Sequence, residues 1–505
     1  MKVNIYKMNK ILYFAFICAF FSCTDLEEEV FSRVSPSNFY NTPEDADTAI
    51  IAIYQTMNRG LFDAAMPSLV FVASPHVWTR VSYRKSYANY TVTAAETRSN
   101  PSVWRKSYEA IFRANVAIGE IEKKFYGDGY EAERLAIIAE AKWLRAFNYF
   151  NLVRLYGEVP MPTVATSDIE GARLPRTSIA NIYEQIIADL KYAETNLPDR
   201  KRTDSKLGRP VVGTAKFLLG KVYLTMAGLP LNDASKMPMA HAKIKEVIDN
   251  KEQWGYDLLD SYEDAIRIEN NAERIFSVQQ SRAIEAQGTQ MAFVWGGKWW
   301  NRGGKSGGQY HGGFTKDFYD SYEPTDERRD VTMALTYEHF RTGKTLTYME
   351  TRQLQEASGI PQNKYNDPEQ LCCNGQNDII VYRYSDALLM YAEAENEVNG
   401  PTTTAYQYLN EVRARGGAST YDASGGLSQD EFRELIYKER FWELSFEFHE
   451  VYDIRRLGKV EEAISINPEA VKAGTVYEPR YELWPIPVSE IQTNIELNGK
   501  NNPGW

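Results

Sequence analysis

A helical pattern with unusual polar spacing runs through residues 139–160. Its polar side chains recur at every third position: Lys142, Arg145, Asn148, Asn151 and Arg154. A helix turns about 100° per residue, so each three-residue step slips back by about 60° and the polar groups spread around the cylinder. Gly157 and Pro160 predict the end of this helix. Because no side of it is purely polar, we expect it to be packed between other helices.

Several further segments with helical apolar spacing supply possible partners. In the first half of the chain these segments are 46–57, 103–121, 179–197 and 213–227. Thr42 and Pro43 precede the first of them and form a typical helix start. Helix pairs of this kind are similar to tetratricopeptide repeats (TPR), which must stack to bury their apolar faces. No strict 34-residue period survives, so the pattern predicts only a TPR-like scaffold.

From about residue 229 to 378 the helical periodicity weakens, and one stretch there combines glycine with tryptophan. Eight of the 32 glycines fall within 296–313. Glycine permits sharp turns, and exposed aromatic rings form a rigid apolar platform. We therefore expect a loop-rich ligand-binding face here, although the same rings would equally suit core packing. The candidate ligand residues of this stretch are Trp295, Trp299, Trp300, Asn301, Arg302, Tyr310 and His311.

A second aromatic cluster precedes it in the chain, between two predicted helices. Trp78 is its best ligand candidate, followed by Tyr83, Tyr87 and Tyr90. Loops between helices usually reach the surface, where such rings are available to a ligand. Core packing of Trp78 remains the alternative.

The C-terminal half returns to helical spacing, at 378–395, 405–415 and 438–447. Glu439, Glu443 and Glu447 share one face of the last helix. Glycoside hydrolysis needs two carboxyl groups that face each other across a bond. Three acids on one helix near Arg440, Arg455 and Arg456 are more typical of a charge-paired face.

The first residues have the pattern of an export signal. Three lysines precede an apolar run at 11–21, which is too short to span a bilayer and suits a signal peptide. Ser22 and Cys23 follow and resemble a bacterial lipobox, which predicts lipidation of Cys23. An ordinary cleavage site, or Cys18 as the acceptor, remains open.

Composition excludes several functions. The formal net charge of −11 argues against binding to nucleic acid or to anionic lipid. The five histidines show no metal-site spacing, so no metal is expected. Gly304, Lys305 and Ser306 do not make a P-loop, because Trp occupies position 299. Cys372 and Cys373 are adjacent, and a bridge between them would be strained. We expect no cofactor.

Taken together, these motifs resemble those of the SusD/RagB family of outer-membrane nutrient-binding lipoproteins. The resemblance rests on the run from Ala139 to Pro160 above all, and it extends through most of the mature chain. The other matching stretches are 35–54, 104–121, 208–210, 378–395, 483–487 and 502–505. Phe448 departs from the pattern, since a glycine is usual there, and we expect altered packing around it.

The resemblance implies a mostly α-helical, TPR-like fold and a function without chemistry. We expect a signal peptide at 1–22, an N-terminal helical region at 23–228 and a C-terminal region at 229–505. The family implies a lipoprotein anchored in the outer membrane and exposed at the cell surface. It would bind a glycan or oligosaccharide and deliver it to a SusC-like, TonB-dependent barrel.

Three alternatives remain open at this point. A RagB-like subunit would capture extended peptides instead of glycans. A glycan-degrading enzyme would turn over its ligand, and a surface adhesin would have no barrel partner.

Overall fold

The computed structural model describes residues 39–58, 61–166, 168–201, 206–284, 287–297, 300–302, 305–306, 308–347, 359–370 and 374–505. The predicted signal peptide and Cys23 lie outside the described residues. So do Trp299, Cys372 and Cys373.

The N-terminal region is helical, as its periodicity predicts. Its helices are α1 (Pro43–Tyr54), α2 (Met66–Val70), α3 (Ser82–Ala88), α4 (Ser99–Glu122), α5 (Glu131–Tyr156), α6 (Ile169–Ala172), α7 (Ile179–Asn196) and α8 (Val212–Ala227). Thr42 caps α1 and Pro43 begins it, as predicted.

The helices of the second region include several long ones near the C-terminus. They are α9 (Lys236–Asp249), α10 (Lys251–Trp254), α11 (Tyr262–Arg267), α12 (Met291–Trp295), α13 (Lys316–Asp320), α14 (Arg328–Thr332), α15 (Tyr384–Asn399), α16 (Thr403–Arg415), α17 (Gln429–Leu444), α18 (Glu450–Arg456), α19 (Val460–Ile466), α20 (Pro468–Ala473) and α21 (Val488–Thr493). Helix α9 lies in the stretch where the helical periodicity weakens, and a helix at 236–249 was not predicted.

Short strands form two-stranded antiparallel pairs between the helices. The strands are β1 (Val77–Thr79), β2 (Arg274–Val278), β3 (Asn301–Arg302), β4 (Lys305–Ser306), β5 (Gly312–Phe314), β6 (Thr336–Glu338), β7 (Thr345–Thr347) and β8 (Ile379–Arg383). The pairs are β1 with β5, β2 with β8, β3 with β4, and β6 with β7. Residues 379–383 lie at the start of the run 378–395, which resembles a helix of the SusD/RagB family. They are a strand that pairs with β2, and α15 starts only at Tyr384.

The long helices pack side by side in one array, in the order α4, α5, α7, α8, α9 and α15. Helices α16 and α17 both pack against α15 and complete it. Neighbours in sequence are mostly neighbours in space, which is the arrangement of stacked helix pairs. Helices α8 and α9 pack together across the 228/229 boundary. A single large apolar core runs through both regions.

Helix α5 lies within this array, as its polar spacing predicts. From Ile137 to Tyr156 every side chain is buried except Lys142 and Arg154, which are half-buried. Buried Arg145 makes a bidentate ion pair with Asp189 of α7, at 2.8 and 2.7 Å. Gly157 ends the helix with φ 69°, a conformation that favours glycine.

A buried charge cluster joins α17 to the segments around it. It contains equal numbers of basic and acidic side chains: Arg328, Lys364, Arg383, Arg413 and Arg415 with Glu273, Asp326, Glu439, Glu443 and Glu447. Glu439 and Glu443 of α17, and Glu447 just after the helix, are therefore charge-paired, as predicted. Their predicted partners were wrong, because Arg440 and Arg456 pair with other carboxylates.

Candidate functional site

Two candidate clusters that are far apart in sequence meet on one surface. Strand β1 pairs with β5, which places Trp78 opposite Gly313. The backbone of His311 accepts hydrogen bonds from the Thr79 hydroxyl at 2.6 Å and from the Arg80 amide at 3.2 Å. We call Trp78, Arg80, Gln309, Tyr310 and His311 the aromatic face. Its position follows from strand pairing, which neither cluster reveals alone.

Arg80 holds residues 309–311 of this face in place. Its Nε donates to the Tyr310 carbonyl at 2.7 Å, and an Nη donates to the Gln309 carbonyl at 2.6 Å. The Arg80 and Gln309 side chains are otherwise exposed. A guanidinium fixes two carbonyls in a defined geometry because its donors form a planar fork. Arg80 therefore orders the loop and also brings a cation to the surface.

Trp78 and His311 are the partly accessible rings of the aromatic face. Trp78 is half-buried and lies nearly parallel to Tyr310, with ring centroids 6.4 Å apart and an interplanar angle of 28°. Tyr310 itself is only 1% exposed, and its hydroxyl donates to the Gly359 carbonyl. The backbone of Tyr310 has φ 51°. Tyr310 thus supports the Trp78 ring from behind and offers little surface to a ligand.

Glycines allow the chains of this face to approach each other closely. A Cβ atom at Gly312 would lie 2.5 Å from the Trp78 carbonyl oxygen. At Gly313 it would overlap the Ile360 carbonyl, and at Gly308 the Phe293 carbonyl. The glycine content of 296–313 is therefore explained in part by backbone packing. This is the close approach for which glycine is needed.

His311 is neutral at physiological pH. Burial lowers its pKa to about 3, and the nearby positive charges of Arg84 and Arg80 act in the same direction. Its ring lies edge-on to Trp295, with centroids 6.2 Å apart. A neutral imidazole both donates and accepts hydrogen bonds, which suits the hydroxyl groups of a sugar.

Trp295 and Trp300 lie in apolar surroundings. Trp295 has no exposed surface; it packs edge-on against Phe71 and Phe446, and the Arg84 guanidinium lies 4.2 Å from its ring centroid. Trp300 is 8% exposed and packs on Tyr337 in a small separate cluster. Trp295 therefore supports the His311 ring of the aromatic face, whereas Trp300 packs in its own cluster, and both rings are buried.

The remaining candidates can be placed only in part. Asn301 and Arg302 form strand β3, which pairs with β4 in a short hairpin. Trp300 bridges to His339 and so connects this hairpin to the region of β6 and β7. Trp299 lies outside the described residues. In the earlier cluster, Tyr87 and Tyr90 are core residues at 0% and 2% exposure, while Tyr83 is half-buried.

Sequence reasoning missed Arg80 entirely and gave Gln309 too little weight. The available signal was the position of Arg80 two residues after Trp78, in a segment already expected at the surface. The sequence could not show that Arg80 binds carbonyls about 230 positions later, because that contact depends on the β1–β5 register.

The described part of the chain holds neither a metal-binding cluster nor a helix that could span a membrane. No group of three or more His, Cys, Asp or Glu side chains there is arranged to hold a metal ion. None of the helices described combines the length and the apolar content needed to cross a bilayer.

Comparison with known families accounts for nearly all of the chain. Residues 257–505 match the model of the SusD family, and residues 26–224 match a model described as "Starch-binding associating with outer membrane". The chain belongs to the SusD family. Its mostly α-helical, TPR-like fold is the fold of that family.

Individual SusD-family relatives match over most of their length. SusD-like protein P2 of Formosa agariphila is 29% identical, with 99% of this chain and 100% of the relative covered. A SusD homolog from Bacteroides thetaiotaomicron has a TM-score of 0.81 at 24% identity, over 94% of this chain and all of that one. A structure described as a laminarin-binding SusD-like protein has a TM-score of 0.75 at 26% identity, over 92% of this chain and all of that one.

Proposed function

We propose that this protein is a cell-surface lipoprotein that binds a glycan at the aromatic face and passes it to a TonB-dependent, SusC-like barrel. Membership of the SusD family supports this proposal, as does the likeness to a relative described as laminarin-binding. The lipid anchor at Cys23 and the barrel partner come from the resemblance of the sequence to the family.

The observation that carries the proposal is the arrangement around Trp78. A half-buried indole ring backed by Tyr310 provides a flat surface on which the C–H face of a sugar ring can stack. Exposed Arg80 and Gln309 lie beside it and can hydrogen-bond to hydroxyl groups. A largely apolar platform with a few polar groups is the usual composition of a small-ligand site.

Within this proposal the candidates have different roles. Trp78, Arg80, Gln309 and His311 would contact the glycan, and Trp299, Asn301 and Arg302 stay ligand candidates from the sequence alone. Trp295 and Tyr310 would position that surface, because they are buried and pack against His311 and Trp78. Trp300 is buried in a separate cluster and has no role in this proposal.

The proposed function is capture without chemistry. Glu439, Glu443 and Glu447 have no exposed side-chain surface and are held by arginine and lysine. Arginine holds the pKa of Glu443 well below its ordinary value. Burial acts to raise the pKa of Glu447, but Arg383 and Lys364 lower it to about 2. Glu443 and Glu447 are therefore ionised, and all three carboxylates are inaccessible, which suits structure and does not suit proton transfer to a substrate.

Two measurements test the proposal. The purified protein is run on native gels that contain one polysaccharide each, including laminarin, with extended peptides tested in parallel by calorimetry. Retardation by at least one polysaccharide, without sugar release, is expected. Binding of peptides alone, or release of reducing sugar, would contradict it.

The delivery part has its own test. The protein is purified from its native membrane through an affinity tag, and wild type is compared with Cys23→Ser. The wild type should carry lipid and co-purify with a large outer-membrane barrel. Recovery of the unmodified protein alone, in the soluble fraction, would refute both the anchor and the partnership.

A further inference from the structure

A second cavity lies apart from the aromatic face. It measures about 330 Å³ and lies between the C-terminal part of α5, helices α7, α8 and α18, and the segment 477–483. None of its lining residues belongs to the aromatic face. Leu229 lines it and is 44% exposed, so the cavity opens to solvent there. Its size is at the lower end of small-molecule sites, which span about 300–1,000 Å³.

Arg455 lines this cavity, its guanidinium lies 4.6 Å from the Trp484 ring centroid, and only part of its hydrogen-bonding capacity is used. Its residue is only 7% exposed, and one Nη donates to the Arg154 carbonyl at 3.3 Å. The other Nη is buried and has no hydrogen-bond partner. Among the described residues, no carboxylate forms an ion pair with it. The adjacent Arg456 differs, because Glu393 and Asp453 satisfy it fully.

The charges that face Arg455 leave the cavity positive. Arg154 also lines it, with its guanidinium between the rings of Phe150 and Tyr452 at 3.7 and 3.6 Å. Arg154 bonds to the Phe150 carbonyl and the Asn151 side chain, both of which are neutral. Glu482 is the one carboxylate in the lining, and it accepts from the Tyr477 hydroxyl at 2.9 Å. Arg154 and Arg455 together therefore outnumber the single opposing acid.

The rest of the lining is mainly aromatic and aliphatic. Tyr183, Tyr452, Leu229 and Leu483 contribute rings and branched side chains to its walls. Such walls suit the flat or C–H face of a six-membered ring. A buried, unpaired guanidinium suits a carboxylate, which it binds through two parallel hydrogen bonds.

We propose that this cavity binds a small carboxylate carried on a single six-membered ring, with the carboxylate on Arg455. Two kinds of molecule share that chemistry: a sugar acid and an aromatic acid. The site is independent of glycan capture at the aromatic face, so either proposal can fail without the other.

Calorimetry on the full-length protein tests this proposal, with glucuronate and benzoate as probes and glucose and benzyl alcohol as their uncharged counterparts. One acid should bind with 1:1 stoichiometry and at least tenfold more tightly than its counterpart. Arg455→Met should weaken that binding at least tenfold. The matched control is Arg200→Met, an exposed arginine, which should bind as the wild type does.

A second variant covers the case in which Arg455→Met does not fold. Leu229→Trp places a larger ring at the mouth of the cavity, where the wild-type side chain is already partly exposed. It should fold normally and lose binding of the acid at least tenfold. Equal binding of acid and counterpart, or full binding by Leu229→Trp, would overturn the proposal.

Discussion

The substitution Arg383→Met tests the buried charge cluster most severely. Arg383 has no exposed side-chain surface and donates to Glu443 at 2.8 Å and to both carboxylate oxygens of Glu447 at 2.8 Å. It also pairs with Glu273. Methionine has a similar length, so the change removes the charge and leaves little cavity. Among the described residues, the variant leaves Lys364 as the only basic partner of Glu447.

The cost can be worked out from two directions. Removing one partner of a buried ion pair costs about 3–5 kcal/mol, because the remaining charge stays desolvated. Against the effect of burial, Arg383 and Lys364 together lower the Glu447 pKa from 4.5 to about 2, which corresponds to at most about 3 kcal/mol of stability for the loss of Arg383. We therefore expect Arg383→Met to lower the free energy of unfolding by about 3–5 kcal/mol at pH 7.

The pH dependence identifies the cause. A carboxyl group whose pKa is lowered by folding stabilises the protein above its unfolded pKa, and that stability is lost as pH falls through the folded value. For Glu447 the window runs from about pH 4.5 down to about pH 2. The difference between wild type and Arg383→Met should therefore be largest at pH 7 and should shrink across this window.

Urea unfolding monitored by tryptophan fluorescence measures both effects. Arg433→Met is the matched control, because its ion pairs with Glu397 and Asp430 are partly exposed. That control should cost no more than about 1 kcal/mol. If Arg383→Met were no more costly than Arg433→Met, or if its cost did not change with pH, the argument from buried pairing would be refuted.

Three further predictions concern the aromatic face and its surroundings. Gly313→Ala places a Cβ against the Ile360 carbonyl and should lower the free energy of unfolding by about 1–3 kcal/mol in urea. The control Gly425→Ala has nothing near its Cβ and should change that free energy by no more than about 0.5 kcal/mol. Equal costs would contradict the packing argument. Arg80→Met removes two hydrogen bonds to loop carbonyls. It should weaken glycan binding about fivefold, or about 1 kcal/mol, with an unchanged melting temperature. Unchanged affinity would contradict the role of Arg80 at the aromatic face. Phe448→Gly relieves the backbone strain of φ 68°, worth about 1 kcal/mol, but deletes a buried ring worth about 3–5 kcal/mol. A net loss of about 2–4 kcal/mol in the free energy of unfolding is expected. A gain in stability would contradict this expectation.

The helical scaffold was largely predictable because its signals are local. The end of α5 at Gly157 and the start of α1 at Thr42 and Pro43 depend on neighbouring residues only. Burial of α5 followed from its polar spacing. Arg209, in the matching stretch 208–210, pairs with Asp47 at 2.6 Å.

The failures concern features that depend on distant partners. Strand β8 reads as the beginning of a helix, and only its pairing with β2 makes it a strand. The cluster partners of Glu439, such as Arg328 and Arg413, come from α14 and α16 and not from the neighbouring arginines. Phe448 was expected to disturb local packing, and its φ of 68° explains why glycine suits that position.

The candidate site was predicted in outline only. The two aromatic clusters were found from composition, whereas the strand pairing that joins them was not. Spacing could not show that Trp295 is enclosed by Phe71 and Phe446 while Trp78 is only half-buried. Burial of an individual ring depends on tertiary contacts, and a sequence window does not contain them.

The most direct test of glycan capture is the affinity of Trp78→Ala for the polysaccharide that the wild type binds best, measured by calorimetry. Trp505→Ala is the control, since Trp505 is also half-buried and packs against Tyr481 and Arg480, away from the aromatic face. Loss of the Trp78 ring should weaken binding at least about tenfold, or about 1.4 kcal/mol, while the control binds normally. Wild-type affinity in Trp78→Ala would contradict the account.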